Sequence, residues 1–279
     1  MARVDELLRS AGEELAPVSD TARLDAEMLL ARVLACNRAW LYTWPEYELE
    51  AADEQRFREL VAERARGMPV AYLLGEREFF DHRFRVTPDS LIPRPDTELL
   101  VEVTLEQAGH EQLTVADLGT GCGAVGISLA LARPGWRVII TDIAEPVLNL
   151  ARENARRLAA RNVVPQHSDW LEAVEGPLDA VVSNPPYVPE ADPHLNTGDV
   201  RHEPRAALAA GPDGLDAIRA IMAEVPERLA PGGWLALEHG HDQGPAVRAL
   251  MDEVGFTAIE TRRDLAGQER VTHGRNRVQ

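Results

Sequence analysis

Val115-Ala116-Asp117-Leu118-Gly119-Thr120-Gly121-Cys122-Gly123-Ala124-Val125-Gly126 runs from an apolar stretch through a glycine-rich turn into residues that can continue as a helix. Glycines let a backbone turn tightly and approach a ligand closely, and a helix N-terminus offers free N–H groups. A strand, a glycine turn and a helix in that order open a βαβ unit of the kind that binds a nucleotide-like cofactor. Gly121 to Gly126 also satisfies G-x-G-x-x-G, so the loop by itself leaves S-adenosylmethionine and NAD both open.

Asp142 ends the next apolar run, about 20 residues beyond the loop, where a carboxylate can accept from both hydroxyls of a ribose. The alternative is that Asp142 only caps a helix starting near Pro146. From about residue 110, apolar β-type runs alternate with helical ones: Leu113 to Ala116, Val138 to Thr141, Leu178 to Ser183 and Trp234 to Leu237. That alternation predicts a parallel sheet with helices on both faces. The tail from Gly255-Phe256 through Arg270-Val271-Thr272 is expected to add final, antiparallel strands.

Upstream, the first 66 residues read as three amphipathic helices. Val4, Leu7, Leu8, Ala11 and Leu15 mark the first, Leu24, Met28 and Ala31 the second, and Phe57, Leu60 and Val61 the third. Gly67 and Pro69 stop the third. Residues 78 to 86 predict a short hairpin turning at Asp81-His82. The expected division is a helical domain over residues 1–75, a hairpin linker over 76–92 and the α/β domain over 93–279.

Composition narrows the chemistry. The chain has 279 residues, 45% hydrophobic and 27% charged, as an ordinary globular protein would. No apolar run approaches the roughly 18 residues of a membrane span, and acidic residues follow at once on Met1-Ala2-Arg3-Val4, which disfavours a secretory signal. Cys36 and Cys122 are too few for a disulfide framework or a cysteine zinc site; no metal is expected and the expected compartment is the cytoplasm. All 29 basic residues are arginine, so Walker-type phosphate loops and lysine Schiff bases are excluded. The net charge of −17 disfavours a nucleic-acid substrate.

The cofactor is decided by Asp179-Ala180-Val181-Val182-Ser183-Asn184-Pro185-Pro186-Tyr187-Val188, an apolar strand ending in Asn-Pro-Pro-Tyr. Open α/β sheets bind ligands at the carboxyl ends of their strands. Two prolines fix the backbone and remove N–H donors, leaving carbonyls as the polar groups on offer. The Asn184 oxygen beside a backbone carbonyl makes two acceptors for the two hydrogens of a planar NH2 group, and Tyr187 can cover the substrate. Such a nitrogen is a weak nucleophile, and holding both N–H bonds aims its lone pair at a methyl donor. Asn184, Pro185 and Tyr187 are therefore the expected catalytic residues, acting by alignment and preorganisation. Cys122 has no activating basic neighbour and reads as a small spacer. An NAD oxidoreductase would leave Asn-Pro-Pro-Tyr without a purpose.

Four segments together resemble the release factor glutamine methyltransferases called HemK or PrmC. They are Leu-Ile-Pro-Arg-Pro-Asp-Thr-Glu (91 to 98), Asp-Leu-Gly-Thr-Gly-Cys-Gly-Ala (117 to 124), Asn-Pro-Pro-Tyr-Val (184 to 188) and Glu-Pro-Arg-Ala-Ala-Leu (203 to 208). The resemblance implies a Rossmann-like S-adenosylmethionine-dependent methyltransferase domain behind a small N-terminal helical domain. It implies as substrate the glutamine in the Gly-Gly-Gln motif of class 1 peptide chain release factors. By position it places Gly119, Thr120, Gly121, Cys122, Gly123, Asp142, Trp170 and Asn184 around the cofactor, with Trp170 against the adenine. It gives Asn184, Pro185, Pro186 and Tyr187 to the glutamine. Arg94 and Glu98 read equally well as the substrate entrance or as part of a helix N-terminus with Pro95 and Asp96. The sister ribosomal-protein glutamine methyltransferases and the base-amine methyltransferases of nucleic acids share Asn-Pro-Pro-Tyr and stand as alternatives.

Overall fold

The computed structural model describes residues 2–109 and 112–277 and divides into two compact units. One comprises Met1–Glu76 with Asn196–His202, the other Arg77–Leu195 with Glu203–Gln279.

The first unit holds α1 (Val4–Leu15), α2 (Ala22–Val33), α3 (Arg38–Thr43), α4 (Ala51–Ala65) and α5 (Val70–Leu74), five helices where three are expected from periodicity. The two extra helices, α3 and α5, are too short for a hydrophobic period to show. Val4, Leu7, Leu8, Ala11 and Leu15 of α1 pack on Ala26, Leu29 and Leu30 of α2 and on Phe57 and Val61 of α4. The expected inner face of α2 was misphased: Leu24 and Met28 are only half-buried, while Asp25 and Glu27 face inward. Charge partners make this tolerable. Arg64 donates to Asp25 at 2.8 Å, and Glu27 accepts from Arg23, Arg38 and Tyr42. Arg64 also reaches Asp199 at 2.6 Å, which ties the segment Asn196–His202 into this unit although its neighbours in sequence belong to the other.

The second unit opens with the hairpin β1 (Glu76–Phe79) and β2 (His82–Arg85). Its turn is centred on Phe80-Asp81, both with positive φ, one residue earlier than expected. A two-residue hairpin loop with both residues left-handed matches the twist of its strands, and a buried anchor, Phe79, sets the register. Then follow α6 (Glu98–Gln107), β3 (Thr114–Leu118), α7 (Ala124–Ala132), β4 (Arg137–Asp142), α8 (Glu145–Arg157), β5 (Val163–His167), β6 (Leu178–Ser183), α9 (Asp216–Arg228), β7 (Leu229–Glu238), α10 (Gly244–Glu253), β8 (Thr257–Arg263) and β9 (Glu269–Arg275).

Strands β3 to β9 form one sheet in the order β5-β4-β3-β6-β7-β9-β8, parallel except for β9, which runs antiparallel to β7 and β8. This is the largely parallel α/β sheet that the alternating runs imply, closed by an antiparallel β9. β5 is absent from the sequence reading because Pro165 and a half-buried face hide its pattern; the edge of a sheet is where a strand proline is admitted. The central strands carry the core: Ala116, Leu118, Val181, Leu235 and Leu237 pack against Ile218, Met222 and Val225 of α9. Among the described residues no helix is long and apolar enough to cross a membrane, and no cluster of side chains could hold a metal ion.

Candidate active site

The chain order reverses between β3 and β6, the point at which open α/β sheets leave a crevice beyond their carboxyl ends. Leu118 and Ser183 pair across the two strand ends, and the Ser183 hydroxyl donates to the Leu118 carbonyl at 2.7 Å. The glycine loop and the Asn-Pro-Pro-Tyr turn thus leave the sheet side by side. Between them lies a cavity of about 290 Å3, a small-molecule size. Gly119, Thr120, Gly121 and Cys122 line one side, Asp142 and Trp170 the next, and Asn184 and Pro186 the far side.

The loop is built on the buried Asp117. Its Oδ2 accepts from the Thr120 hydroxyl at 2.5 Å and from the Gly126 N–H at 2.9 Å. Burial outweighs those hydrogen bonds and pushes its carboxyl up to about 7. A Cβ at Gly126 would lie 2.5 Å from Ile140 and 2.9 Å from the Asp117 carboxylate, so only glycine brings α7 this close to the sheet. Gly123, at φ +90°, needs the left-handed region to start α7. Asp142 accepts from the Ala144 N–H at 2.9 Å and the Gly121 N–H at 3.1 Å, and burial raises its carboxyl. Asp142 lines the cavity, and it lies two residues before Ala144, the N-cap of α8, which carries no side-chain cap. Trp170 holds a φ of +39°, and its ring lies 3.4 Å from where a Gly119 Cβ would sit. A bulky residue held left-handed at a ligand wall is the kind of strain that functional sites retain. Cys122 is buried and its thiol is pushed up to about 12 by burial, in keeping with a spacer.

On the opposite wall, the Asn184 Nδ2 donates to the Thr97 hydroxyl at 3.1 Å, while its Oδ1 is buried without a partner. An orphaned buried acceptor costs about 1–3 kcal/mol, and this one belongs to a residue of the cavity wall. Tyr187 donates its hydroxyl to Glu238 at 3.2 Å, and its carbonyl accepts from Gln243 at 2.9 Å. Val188 donates to Leu208 and accepts from Ala210, so the segment after the prolines is pinned to the Glu-Pro-Arg-Ala-Ala-Leu stretch.

Gly123, Pro185, Tyr187 and Arg94 do not reach the cavity wall. Pro185 is buried behind it. Arg94 pairs with the buried Glu203, whose other oxygen accepts from the Ile92 N–H at 3.0 Å. Glu98 accepts from the Phe80 N–H at 3.0 Å and so braces the hairpin turn. Three residues that sequence reasoning left unassigned are hydrogen-bonded to the Asn-Pro-Pro-Tyr turn: Thr97, Glu238 and Gln243. Glu238 ends the apolar run Trp234 to Leu237 as Asn184 ends Leu178 to Ser183, and this parallel is the one signal that could have singled it out.

Comparison with known proteins identifies the family. Residues 6–75 match the PrmC N-terminal domain and residues 95–201 the methyltransferase small domain. The release factor glutamine methyltransferase of Pseudomonas aeruginosa is 48% identical over 259 residues, 92% of this chain and 94% of that protein. That of Coxiella burnetii is 44% identical over 273 residues, 97% and 98% of the two chains. Among solved structures, a methyltransferase from Pyrococcus furiosus superposes with a TM-score of 0.54 at 19% identity, covering 70% of this chain and 89% of its own. A ribosomal protein L11 methylase from Lactobacillus delbrueckii gives 0.52 at 20% identity, covering 70% and 85%; both likenesses speak for the fold of the second unit. With identity this high over nearly the whole length, and with both family segments in their expected order, the chain belongs to the S-adenosylmethionine-dependent release factor glutamine methyltransferases.

Proposed function

We propose that this chain methylates the side-chain amide nitrogen of the glutamine in the Gly-Gly-Gln motif of class 1 release factors. The observation that carries the reading is the Asn184 Oδ1, buried, unpartnered and set on a residue of the cavity wall. A primary amide brings two N–H donors, and Asn184 beside a turn of proline carbonyls meets them with acceptors alone. The residues opposite fit S-adenosylmethionine: Asp142 for the ribose, Trp170 and the glycine loop for the rest. When bound, that cofactor supplies an electrophilic methyl group on a sulfonium.

The chain's own contribution is alignment. Asn184 fixes the amide plane, so the nitrogen lone pair points across the cavity toward the wall of Gly119 to Cys122. Pro185 and Pro186 keep N–H donors away from the nitrogen, where they would compete for that lone pair. Because these groups are in place before the substrate arrives, no reorganisation is needed at the moment of transfer. Residues 1–75 carry helices and no chemical motif, and we assign them to docking the protein substrate. The net charge of −17 fits a protein substrate better than a nucleic acid. Action in the cytoplasm is part of this reading, in keeping with two cysteines that are both free.

Mass spectrometry after incubation with labelled S-adenosylmethionine tests it. Class 1 release factors should gain one methyl on the Gly-Gly-Gln glutamine, far faster than a free Gly-Gly-Gln peptide does. Label on ribosomal proteins instead would assign the chain to the sister activity, and equal rates for peptide and intact factor would end the docking role.

A further inference from the structure

Strands β8 and β9 are joined by a tight hairpin loop. Asp264 donates its N–H to the Gln268 carbonyl at 2.9 Å, its own carbonyl accepts from the Gly267 N–H at 2.9 Å, and Gly267 stands at φ +79°. This is the three-residue hairpin loop in which a left-handed glycine follows a tight turn. Leu265 and Ala266 form its apex. Leu265 is 110% exposed, as open to water as a residue of an isolated peptide.

Nothing in the turn asks for leucine. Turn positions favour glycine, proline, asparagine, aspartate and serine, each for its backbone geometry or its local hydrogen bonds, and leucine offers neither. Among the described residues of the second unit two other large apolar side chains are exposed. Ile143 lines the cavity, and Val254, at 37%, caps the end of α10. Leu265 is neither at the cavity nor against the fold.

The apex is nevertheless held in place. The Asp264 carboxylate accepts from the Gln268 N–H at 2.9 Å and from the Arg270 Nε at 3.0 Å, while Arg263 donates to the Gly267 carbonyl at 2.8 Å. A tip already ordered loses little freedom on binding, so more of its apolar burial is left as affinity.

Its place in the fold says what covers it. Glu238, at the carboxyl end of β7, pairs with Val271 near the start of β9, so the loop before β9 lies at the same edge of the sheet as the cavity. β9 is two strands from β6, about 10 Å in sheet spacing. Arg270, at the base of the loop, also pairs with Asp96 at 3.5 Å, and the next residue, Thr97, accepts from Asn184. The tip is thus tied to the segment that touches the amide acceptor. A protein that delivers a glutamine to Asn184 brings its own surface over this edge.

We propose that the β8–β9 tip is a docking contact for the release factor, with Leu265 seated in an apolar depression of the factor beside its Gly-Gly-Gln segment. The proposal rests on the function proposed above.

Leu265→Ala and Leu265→Asp test it, because an exposed apex residue can be changed without disturbing the fold. Full burial of a leucine side chain corresponds to roughly 10- to 100-fold in affinity. KM for an intact class 1 release factor should rise about 10-fold in Leu265→Ala, and further in Leu265→Asp, whose charge would have to shed its water. The rate at saturating factor should stay within about twofold of wild type, and Leu265→Met should keep a KM near wild type. Affinity for S-adenosylhomocysteine and methylation of a free Gly-Gly-Gln peptide should be unchanged in all three. A wild-type KM in Leu265→Asp would overturn the proposal, as would an equal loss with the free peptide. If sedimentation showed a wild-type dimer that Leu265→Asp dissolves, a second copy of this chain would cover the tip and the proposal would fall. Failure of the wild-type protein to methylate any release factor would instead defeat the function proposed above, on which this contact depends.

Discussion

The glycine loop and the Asn-Pro-Pro-Tyr turn leave adjacent strands and face one cavity, yet they are held in opposite ways. Beyond the strand end at Leu118, the loop is held mostly by near neighbours: Asp117 holds Thr120 and Gly126, Thr120 holds Gly123, and Asp142 and Asn154 reach it from 21 and 32 positions away. The turn depends on residues far along the chain: Thr97 at 87 positions, Glu238 at 51 from Tyr187, and Gln243 at 56. A site wall made of local contacts can be recognised as a motif. One made of distant contacts is only half visible as a motif, because its supports are scattered.

The contrast would break first at Asn184. Asn184→Ala removes the acceptor that the proposed function assigns to the substrate amide, so methyl transfer in a single turnover should slow by roughly 100- to 1000-fold while S-adenosylhomocysteine binding is nearly preserved. Equal rates for the two proteins, with the variant folded and saturated, would mean that the turn does not orient the amide.

The same contrast explains what could be read from the sequence. The Rossmann-like sheet, the N-terminal helices and the loop from Asp117 to Gly126 were legible because each depends on spacing within a short window. Leu178 to Ser183 was placed with its bounds intact, since a strand buried on both faces reads as a mostly apolar run, interrupted here only by the half-buried Asp179 before its polar end at Ser183. α2 was misphased because the buried Asp25 and Glu27 break the rule that charge faces water, and their partners Arg64 and Arg38 lie 39 and 11 positions away. β5 was hidden by Pro165 at the sheet edge. Glu238 and Thr97 escaped for the reason α2 did: each meets the Asn-Pro-Pro-Tyr turn only because the fold brings distant residues together.

A smaller effect is expected on the loop side. Asp142→Ala removes a carboxylate that faces the cavity and also holds Gly121 and Ala144. S-adenosylmethionine affinity should fall by about 1.5–3 kcal/mol, the range for hydrogen bonds to a charged group. The rate at saturating cofactor should stay near wild type, the mirror image of Asn184→Ala. Unchanged affinity in titration calorimetry would remove Asp142 from the cofactor wall, and a fall in saturated rate as large as that of Asn184→Ala would erase the division between the two walls.

The last expectation concerns Asp117, which holds Thr120 and Gly126 of the loop, and it appears in stability as a slope with pH. Burial raises its carboxyl from the ordinary 3.8 to about 7, with Asp142 pushing weakly in the same direction. Between those values the folded protein keeps a proton that the unfolded chain releases. The unfolded state is therefore favoured progressively as pH rises, and the contribution of this group to stability is full below about 4 and lost by about 7. The slope cannot exceed about 1.4 kcal/mol per pH unit for one site. Asp117→Asn removes the titration and leaves other groups, Glu238 among them, to act equally in both proteins. The stability of the variant relative to wild type, from urea unfolding at several values between pH 4 and 7, should thus rise with pH by about 1 kcal/mol per unit. Above 7 the difference should level off. A constant difference across the window would show that Asp117 ionises as an exposed carboxylate does, and that the loop draws its rigidity from its glycines and Thr120 without help from a buried proton.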